Sequence, residues 1–176
     1  MSATSLTARL LLVADTHLGL GAADRLTSLI AAELAAADAV LHAGDLTHSS
    51  VLEALSASAP QAKVYAVAGN KDRGLDLPER LALEIGGCAV AMIHDSGPAR
   101  GQSTRLRQRF PKADLVVFGH SHLPWHEVDV RASDTHLQHH VNPGSAIQRR
   151  RAPVCTVAHV ALVGGVVAQV GHLPLR

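Results

Sequence analysis

The residues best suited to chemistry in this sequence are aspartates, histidines and one asparagine that recur in short polar motifs. The five motifs are Asp15-Thr16-His17, Gly44-Asp45, Gly69-Asn70, His94 and Gly119-His120-Ser121-His122. Carboxylate, imidazole and amide groups offer oxygen and nitrogen ligands without a thiolate. That set suits Mn, Fe, Zn, Co or Mg rather than a structural zinc site. The motifs therefore predict a catalytic metal centre.

The spacing of the motifs predicts one shared site. Each motif follows a short apolar run, and successive motifs lie about 25 to 30 residues apart, the length of a strand plus a crossover helix. In an open α/β sheet the carboxyl ends of the strands line one crevice, so polar groups placed there converge. A single motif of this kind is more often a plain turn, but five in order form a strong joint signal. If two ions are bound, Asp45 is the natural bridging ligand.

The elements that must position these motifs follow from the apolar pattern. Runs of strand length occur at Leu10–Ala14, Ala39–Leu41, Val64–Ala68, Ala89–Ile93 and Leu115–Phe118. Apolar residues at helical spacing over 26–37 and 51–55 predict helices, and 100–110 is a third, more polar candidate. Strands that alternate with helices predict an α/β domain.

The pattern changes after Pro124 to strands joined by short turns. The predicted strands are His126–Val130, Leu137–Val141, Val154–Leu162 and Val166–Val170. Gly164-Gly165 is a strong hairpin signal. We expect a mostly antiparallel sheet or sheet edge here, whose exposed edges would allow a homo-oligomer to form. One domain over residues 1–176 is the simplest organisation.

Composition narrows the class of protein. The chain is 47% hydrophobic and 18% charged, as in ordinary globular proteins. A net charge of +1 and only one Trp, one Tyr and two Phe argue against nucleic acid as the main partner. No signal-peptide pattern or membrane-length apolar stretch is found, which favours a cytoplasmic protein with no membrane partner. Cys88 and Cys155 lie in apolar runs and are expected to be core residues rather than a disulfide.

Together with Asn142-Pro143-Gly144-Ser145, the five motifs resemble those of the calcineurin-like metallophosphoesterases. The Asn-Pro-Gly-Ser turn resembles the small bacterial phosphodiesterase branch of that superfamily in particular. The resemblance extends from Asp15 to Ser145, nearly the whole chain. It implies an α/β fold of two stacked mixed β-sheets flanked by helices, with the site at one end.

The resemblance also implies ligand roles and an activity. The implied ligands are Asp15, His17 and His122 for one divalent ion, Asn70, His94 and His120 for the other, and Asp45 as the bridge. Manganese is favoured, with Fe, Zn, Co, Ni or Mg as alternatives. A hydroxide held by the ions would attack the phosphorus of a small phosphodiester or nucleotide substrate in line. The alternatives are a phosphomonoesterase and a non-catalytic protein-binding scaffold like the retromer subunit of similar fold.

Two positions depart from the family's pattern. Lys71 follows Asn70, where many relatives carry a His and the small branch often a Cys. We expect Asn70 to steer a phosphate oxygen, and Lys71 to donate a proton or bind phosphate, with a solvated loop lysine as the alternative. Because a diester with a good leaving group needs less proton donation, Lys71 favours diesters. Asp95-Ser96 after His94 replaces the common Gly and His.

Further polar residues fall outside the motifs. His42 and His48 flank Gly44-Asp45 and are candidates to orient ligands. The other histidines are expected to be ordinary strand and loop residues: His126, His136, His139, His140, His159 and His172. Two basic groups are expected to be solvated: Arg105, Arg109 and Lys112 on the third helix, and Arg149-Arg150-Arg151. The alternative for the arginine triplet is a border of the crevice that attracts anions.

Overall fold

A computed structural model describes residues 6–130 and 136–175 of the chain. The strands are β1 (Leu6–Val13), β2 (Ala39–His42), β3 (Lys63–Ala66), β4 (Arg80–Ile85), β5 (Cys88–Ile93), β6 (Leu115–Val117), β7 (Trp125–Val130), β8 (Leu137–Asn142), β9 (Cys155–Val163) and β10 (Val166–Leu175). The helices are α1 (Ala23–Leu29), α2 (Ala31–Ala36), α3 (Ser50–Ser58) and α4 (Gln102–Arg109).

The strands form two mixed sheets of five strands each. The first sheet has the order β10-β9-β1-β2-β3, and the second has the order β4-β5-β6-β8-β7. β1, β2 and β3 are parallel to one another, and so are β5, β6 and β8. Antiparallel strands complete both sheets. This architecture confirms the expected α/β fold of two mixed sheets flanked by helices.

Both faces of the central strand β1 are buried, which explains its continuous apolar sequence. Leu10 and Leu12 pack in a core cluster with Val90 and Leu115 of the second sheet, so this cluster joins the two sheets. Leu11 and Val13 point to the opposite face and join a cluster of α1, α2 and α3 residues. The alternation of side chains along a strand produces this division. A third, smaller cluster joins α4 to the second sheet through Leu106.

The structure departs from the predictions in two segments, the helix expected over 26–37 and the stretch of chain between β3 and β5. The helix expected over 26–37 is two helices, because the backbone breaks at Ile30 (φ −119°, ψ 25°). The prediction of a crossover helix between the third and fourth apolar runs is wrong. β4 lies there instead and forms a hairpin with β5 through Gly86 and Gly87. The signals in the sequence that could have identified β4 are its alternation of polar or small residues with large apolar residues, which matches its alternating exposure, and the Gly-Gly turn that follows.

The C-terminal third divides between the two sheets rather than forming one antiparallel unit. β9 and β10 form the hairpin expected at Gly164-Gly165 and extend the first sheet. β7 and β8 extend the second, and β8 is parallel to β6. Cys88 is buried as expected, and burial raises the pKa of its thiol to about 12, whereas Cys155 is partly exposed. Among the described residues, no helix has both the length and the apolarity of a membrane span.

Candidate metal centre

The five predicted motifs meet where the parallel strands of both sheets end. β1, β2 and β3 lead into the motifs of Asp15, Asp45 and Asn70, and β5 and β6 lead into those of His94 and His120. Backbone hydrogen bonds join the loops within each sheet, from Asp15 N to Gly44 O (2.9 Å) and from Gly119 N to His94 O (3.0 Å). These strands belong to two sheets, as the family resemblance implied, rather than to one open sheet. The crevice lies between the carboxyl ends of two sheets.

Three side chains converge on one side of this crevice. His17 Nε2 and His122 Nε2 lie 3.2 Å apart. Asp15 Oδ1 lies 3.4 Å from His122 Nε2 and 4.0 Å from His17 Nε2. The donor atoms of these three residues all lie within 4.8 Å of one another, which is close enough to share one ion.

Asp45 connects this group to the other side of the crevice. Its Oδ2 lies 3.6 Å from His17 Nε2 and 3.5 Å from His94 Nε2. Asn70 Oδ1 in turn lies 3.2 Å from His94 Nε2 and 3.2 Å from His120 Nδ1. All seven residues predicted as ligands thus come together, and the Asp45 carboxylate lies between the two groups.

Burial shifts the pKa values at this site in two directions, raising that of Asp15 and lowering those of three histidines. Among the described residues neither carboxylate oxygen of Asp15 has a hydrogen-bond partner, although both are buried. Burial and the charge of Asp45 raise the pKa of Asp15 to about 8 against an opposing contribution from the His120 backbone, so a nearby cation would be needed to keep this carboxylate ionised at neutral pH. Burial lowers the pKa of His17, His94 and His122, which favours the neutral imidazoles that metals bind. The donor set fits a divalent ion.

Backbone carbonyls orient two of the imidazoles. The Nδ1–H of His94 donates to Ala43 O at 2.8 Å, and the Nδ1–H of His122 donates to Gln148 O. Because a carbonyl only accepts, Nδ1 carries the proton in each neutral ring. The lone pair of each Nε2 then faces the other donors, as in protein metal sites whose ligand tautomers are fixed by a second hydrogen bond.

The loops that carry the donors are conformationally strained. Asp15 (φ 53°), His17 (φ 46°), Asp45 (φ 58°), His120 (φ 70°) and His122 (φ 60°) all lie in the left-handed region. Residues with a Cβ rarely adopt this region, at a cost of about 1 to 3 kcal/mol each, and such residues concentrate at functional sites. The surrounding hydrogen bonds must therefore hold five of the seven donors in place.

A glycine allows one of these close approaches. A Cβ on Gly69 would lie 2.2 Å from Asp45 Oδ1 and 2.3 Å from Asp45 N, so only glycine fits beside the carboxylate. The close approach of backbone to a functional side chain is the reason for glycine at this position.

Asp72 supports the two loops that carry Asp45 and Asn70, and sequence reasoning assigned it no role. Its buried Oδ2 accepts hydrogen bonds from Asp45 N (2.8 Å) and Gly69 N (2.7 Å). Its Oδ1 accepts one from Thr47 N (2.7 Å). Nothing in the spacing distinguishes such a residue from a solvated loop aspartate, because two of its three partners, Asp45 N and Thr47 N, come from a different part of the chain.

The Asn142-Pro143-Gly144-Ser145 turn ties the motifs of the two sheets together. Asn142 Nδ2 donates to Gly119 O (2.8 Å) and Ser121 Oγ (3.1 Å), both in the motif that carries His120 and His122. Ser145 Oγ donates to Asp15 O at 2.7 Å. One turn thus supports the donors at the ends of β1 and β6.

Only one of the two histidines expected to orient ligands contacts a donor motif. His42 is buried, its Nε2 lies 3.1 Å from Thr16 Oγ1, and burial lowers its pKa to about 3. His48 contacts Ser50 at the start of α3, through Ser50 Oγ (3.0 Å) and Ser50 N (3.1 Å). The neutral ring of His42 therefore supports the Asp15–His17 loop, and His48 supports a helix end.

The basic residues near the crevice differ in their contacts. Lys71 N donates to Asp45 Oδ1 at 2.8 Å, and the residue is otherwise exposed. Arg150 has a left-handed backbone (φ 46°), and its charge contributes to lowering the pKa of both His17 and His122. Arg149 Nη1 donates to Pro153 O at 3.0 Å within its own loop. Of these side chains, Arg150 acts most directly on the crevice.

The third predicted helix, which is α4 in the structure, is less solvated than expected. Arg105 donates to carbonyls of the preceding loop, including Arg100 O at 2.8 Å and Ser96 O at 3.3 Å. Arg109 and Lys112 are exposed, as expected. The expectation of a solvated basic face is therefore wrong for Arg105, whose hydrogen bonds hold the loop that follows His94.

The family model of the calcineurin-like phosphoesterase superfamily domain matches residues 9–164. A probable metallophosphoesterase of Methanocaldococcus jannaschii is 34% identical over 116 residues, or 64% of this chain and 58% of the relative. One of Methanothermobacter thermautotrophicus is 34% identical over 120 residues, or 64% of this chain and 66% of the relative. The matched region spans less than two thirds of the length of each relative.

Solved structures share the fold over nearly the whole chain. A predicted phosphoesterase from Streptococcus pneumoniae has a TM-score of 0.65 at 22% identity and covers 96% of this chain and 98% of its own. Vacuolar Protein Sorting 29 from Cryptosporidium parvum has a TM-score of 0.72 at 20% identity, covering 97% and 100%. At these identities the likeness concerns the fold alone. Because the family model matches most of the sequence, from within β1 to the turn after β9, the chain belongs to the calcineurin-like phosphoesterase superfamily.

Proposed function

We propose that this protein is a phosphodiesterase that hydrolyses small phosphodiester or nucleotide substrates with two divalent ions, manganese being favoured. The observation that carries the proposal is the position of Asp45, whose Oδ2 lies 3.6 Å from His17 Nε2 and 3.5 Å from His94 Nε2. A carboxylate between two groups of neutral donors is suited to bridge two ions. The unpartnered carboxylate of Asp15 adds a second reason to expect a cation there.

The contacts suggest how the donors divide between the ions. Asp15, His17 and His122 would hold one ion, Asn70, His94 and His120 the other, and Asp45 both. When bound, the two ions would lower the pKa of a water molecule and neutralise charge on the phosphoryl oxygens. Every donor is an oxygen or an imidazole nitrogen, which is compatible with manganese.

Asn70 and Lys71 would act on the substrate. The Oδ1 of Asn70 faces His94 and His120, so its amide Nδ2 is the group left to donate a hydrogen bond to a phosphate oxygen. The backbone N–H of Lys71 donates to Asp45 Oδ1, and its side chain is exposed and so accessible to an anion. An ammonium in this position would stabilise a phosphate oxygen or donate a proton to the leaving group.

Arg150 would attract the anionic substrate to the crevice. Its charge affects the pKa of three donor residues, Asp15, His17 and His122, so it contributes positive potential where a phosphate would bind. Arg149 is held by carbonyls of its own loop. We therefore assign the anion-attracting role to Arg150 rather than to the whole triplet.

The test combines metal analysis with hydrolysis of a matched pair of aryl phosphate esters, one diester and one monoester. The purified protein is assayed with and without added Mn²⁺, and bound metal is counted. We expect metal-dependent turnover with the diester preferred, and a loss of at least ~100-fold in Asp45→Asn with the fold intact. Asp38→Asn is the matched control, because Asp38 accepts a hydrogen bond from Arg9 N at the other end of β2. Equal turnover with and without metal would contradict the proposal.

Two alternatives have distinct outcomes in the same assay. Preference for the monoester would indicate a phosphomonoesterase. A non-catalytic protein-binding scaffold is the second alternative, and the shared fold with Vacuolar Protein Sorting 29 favours it. Weak metal binding and no metal-dependent turnover of either ester would support the scaffold.

A further inference from the structure

A second pair of histidines, outside the seven proposed donors, repeats the geometry of His17 and His122. His126 of β7 and His139 of β8 have Nε2 and Nδ1 3.1 Å apart, ring centroids at 5.3 Å and an interplanar angle of 15°. For His17 and His122 the two nitrogens are 3.2 Å apart, the centroids 5.1 Å and the angle 19°. Both pairs present ring nitrogens to each other at nearly the same separation.

This separation matches a metal chelate. Two imidazole nitrogens that bind one tetrahedral zinc ion at 2.0 to 2.1 Å lie about 3.3 Å from each other. An N–H···N hydrogen bond between neutral rings has a similar length and is the competing explanation. The surroundings of the pair bear on the choice between the two.

The strands hold the two rings in place. His126 is paired with Val141 and His139 with Val128, so the two histidines are diagonal neighbours on one face of an antiparallel ladder. Val141 packs in the cluster between the sheets, which identifies the face as the one toward the first sheet. His126 is exposed and His139 is half-buried, so an ion from solvent can reach both rings without a change in the backbone.

The groups around the pair favour a cation. His172 of β10 donates from Nε2 to Asn142 O at 2.7 Å, which leaves Nδ1 as its lone-pair nitrogen, and its charge contributes to lowering the pKa of His126. The charge of Asp114 acts to raise the pKa of His139, so Asp114 supplies negative potential at this ring. Burial is the main reason why the pKa values of both rings are lowered. Neutral imidazoles beside a carboxylate are the form that binds metal.

We propose that His126 and His139 form a binding site for a zinc, copper or nickel ion, separate from the proposed catalytic centre. The donors are all nitrogen, which disfavours magnesium and calcium. A bound ion would fasten the edge strand β7 to β8 and stabilise that edge of the second sheet through preferential binding to the folded state.

The first test counts bound zinc by equilibrium dialysis at micromolar free Zn²⁺. We expect wild-type protein to bind one equivalent more than His126→Gln or His139→Gln. His159→Gln is the matched control, because His159 is an exposed strand histidine of β9, and it should bind as many ions as wild type. Turnover with Mn²⁺ should be unchanged in all three variants. Equal zinc stoichiometry in all four proteins would overturn the proposal.

The second test uses wild-type protein only and therefore does not depend on the folding of a variant. Substoichiometric Cu²⁺ is added to isotope-labelled protein loaded with Mg²⁺, which is diamagnetic and disfavoured by imidazole donors, and NMR signals are followed. We expect selective broadening of the ring signals of His126 and His139 and of the methyl groups of Val128. An unbroadened pair, or broadening only at millimolar copper, would show that the rings form an ordinary hydrogen bond.

Discussion

Replacement of Asp72 by Asn tests how the strained metal-binding loops are held. Asp72 accepts three backbone hydrogen bonds at 2.7 to 2.8 Å, two at Oδ2 and one at Oδ1. An amide keeps one oxygen and places an NH₂ group against the remaining N–H donors. At least one bond is therefore lost, and two are lost if the amide oxygen faces Thr47 N.

The magnitude follows from these contacts. A hydrogen bond to a charged group contributes about 1.5 to 3 kcal/mol, and the bond from Asp45 N is fully buried. With the change of acceptor charge affecting all three bonds, we expect Asp72→Asn to lower the free energy of unfolding by about 3 kcal/mol. Because displacement of Asp45 by as little as 1 Å can cost ~100-fold in rate, we also expect kcat for the diester to fall by that order.

The assay is urea unfolding followed by circular dichroism, together with Mn²⁺ titration and diester kinetics. Asp38→Asn serves as the control, because Asp38 is an aspartate that accepts one exposed backbone hydrogen bond, from Arg9 N at 2.7 Å. It should change the free energy of unfolding by less than about 1 kcal/mol and leave Mn²⁺ affinity unchanged. If Asp72→Asn behaves like this control, Asp72 does not hold the loops and the reasoning is refuted.

Three further predictions concern the glycine, a buried histidine and the arginine. Gly69→Ala should weaken Mn²⁺ binding by at least ~10-fold, because the added Cβ would meet Asp45 Oδ1. Gly19→Ala is the control and should bind Mn²⁺ like wild type, because Gly19 has open space around it. Metal titration measures the affinity of both variants. Buried His140 has a pKa lowered by burial to about 4 from 6.5. As the pH falls, the unfolded chain therefore binds the proton before the folded chain does. The contribution of His140 to stability is full well above pH 6.5 and falls toward pH 4, by about 1 kcal/mol near pH 5.5. Urea unfolding should show a smaller loss of stability in acid for His140→Gln. Arg150→Ser should raise KM for a charged diester several-fold and flatten its salt dependence, and Arg151→Ser is the control; equal kinetics in the two variants would count against the assignment.

The positions of the donors could be predicted from the sequence, and their supports could not. Asp15 directly follows an apolar run and Asp45 comes within four residues of one, and this local signal survives any arrangement of the strands. The division into two sheets depends on β4, which occupies the segment between Asn70 and His94 where a helix was expected, and pairs with β5. Chain spacing alone does not distinguish a crossover helix from a hairpin strand.

The contacts made by the supporting residues depend on tertiary approach. Asp72 accepts from Asp45 N, and Ser145 donates to Asp15 O across 130 residues of chain. The pair His126 and His139 likewise depends on the register of β7 and β8. Side chain to backbone contacts between distant loops leave no periodic trace in a sequence, so this part of the site required the structure.

The position of β1 has a consequence for the order in which the molecule can fold. β1 lies between β2 and β9, and Leu10 is paired with Val160. During synthesis β1 therefore lacks one of its two neighbours until β9 has left the ribosome, and the Asp15 loop lacks the hydrogen bond from Ser145 for almost as long. Contacts of such long sequence separation slow folding and leave intermediates with an unpaired strand edge. The first donor motif to be synthesised is thus among the last to reach its final conformation.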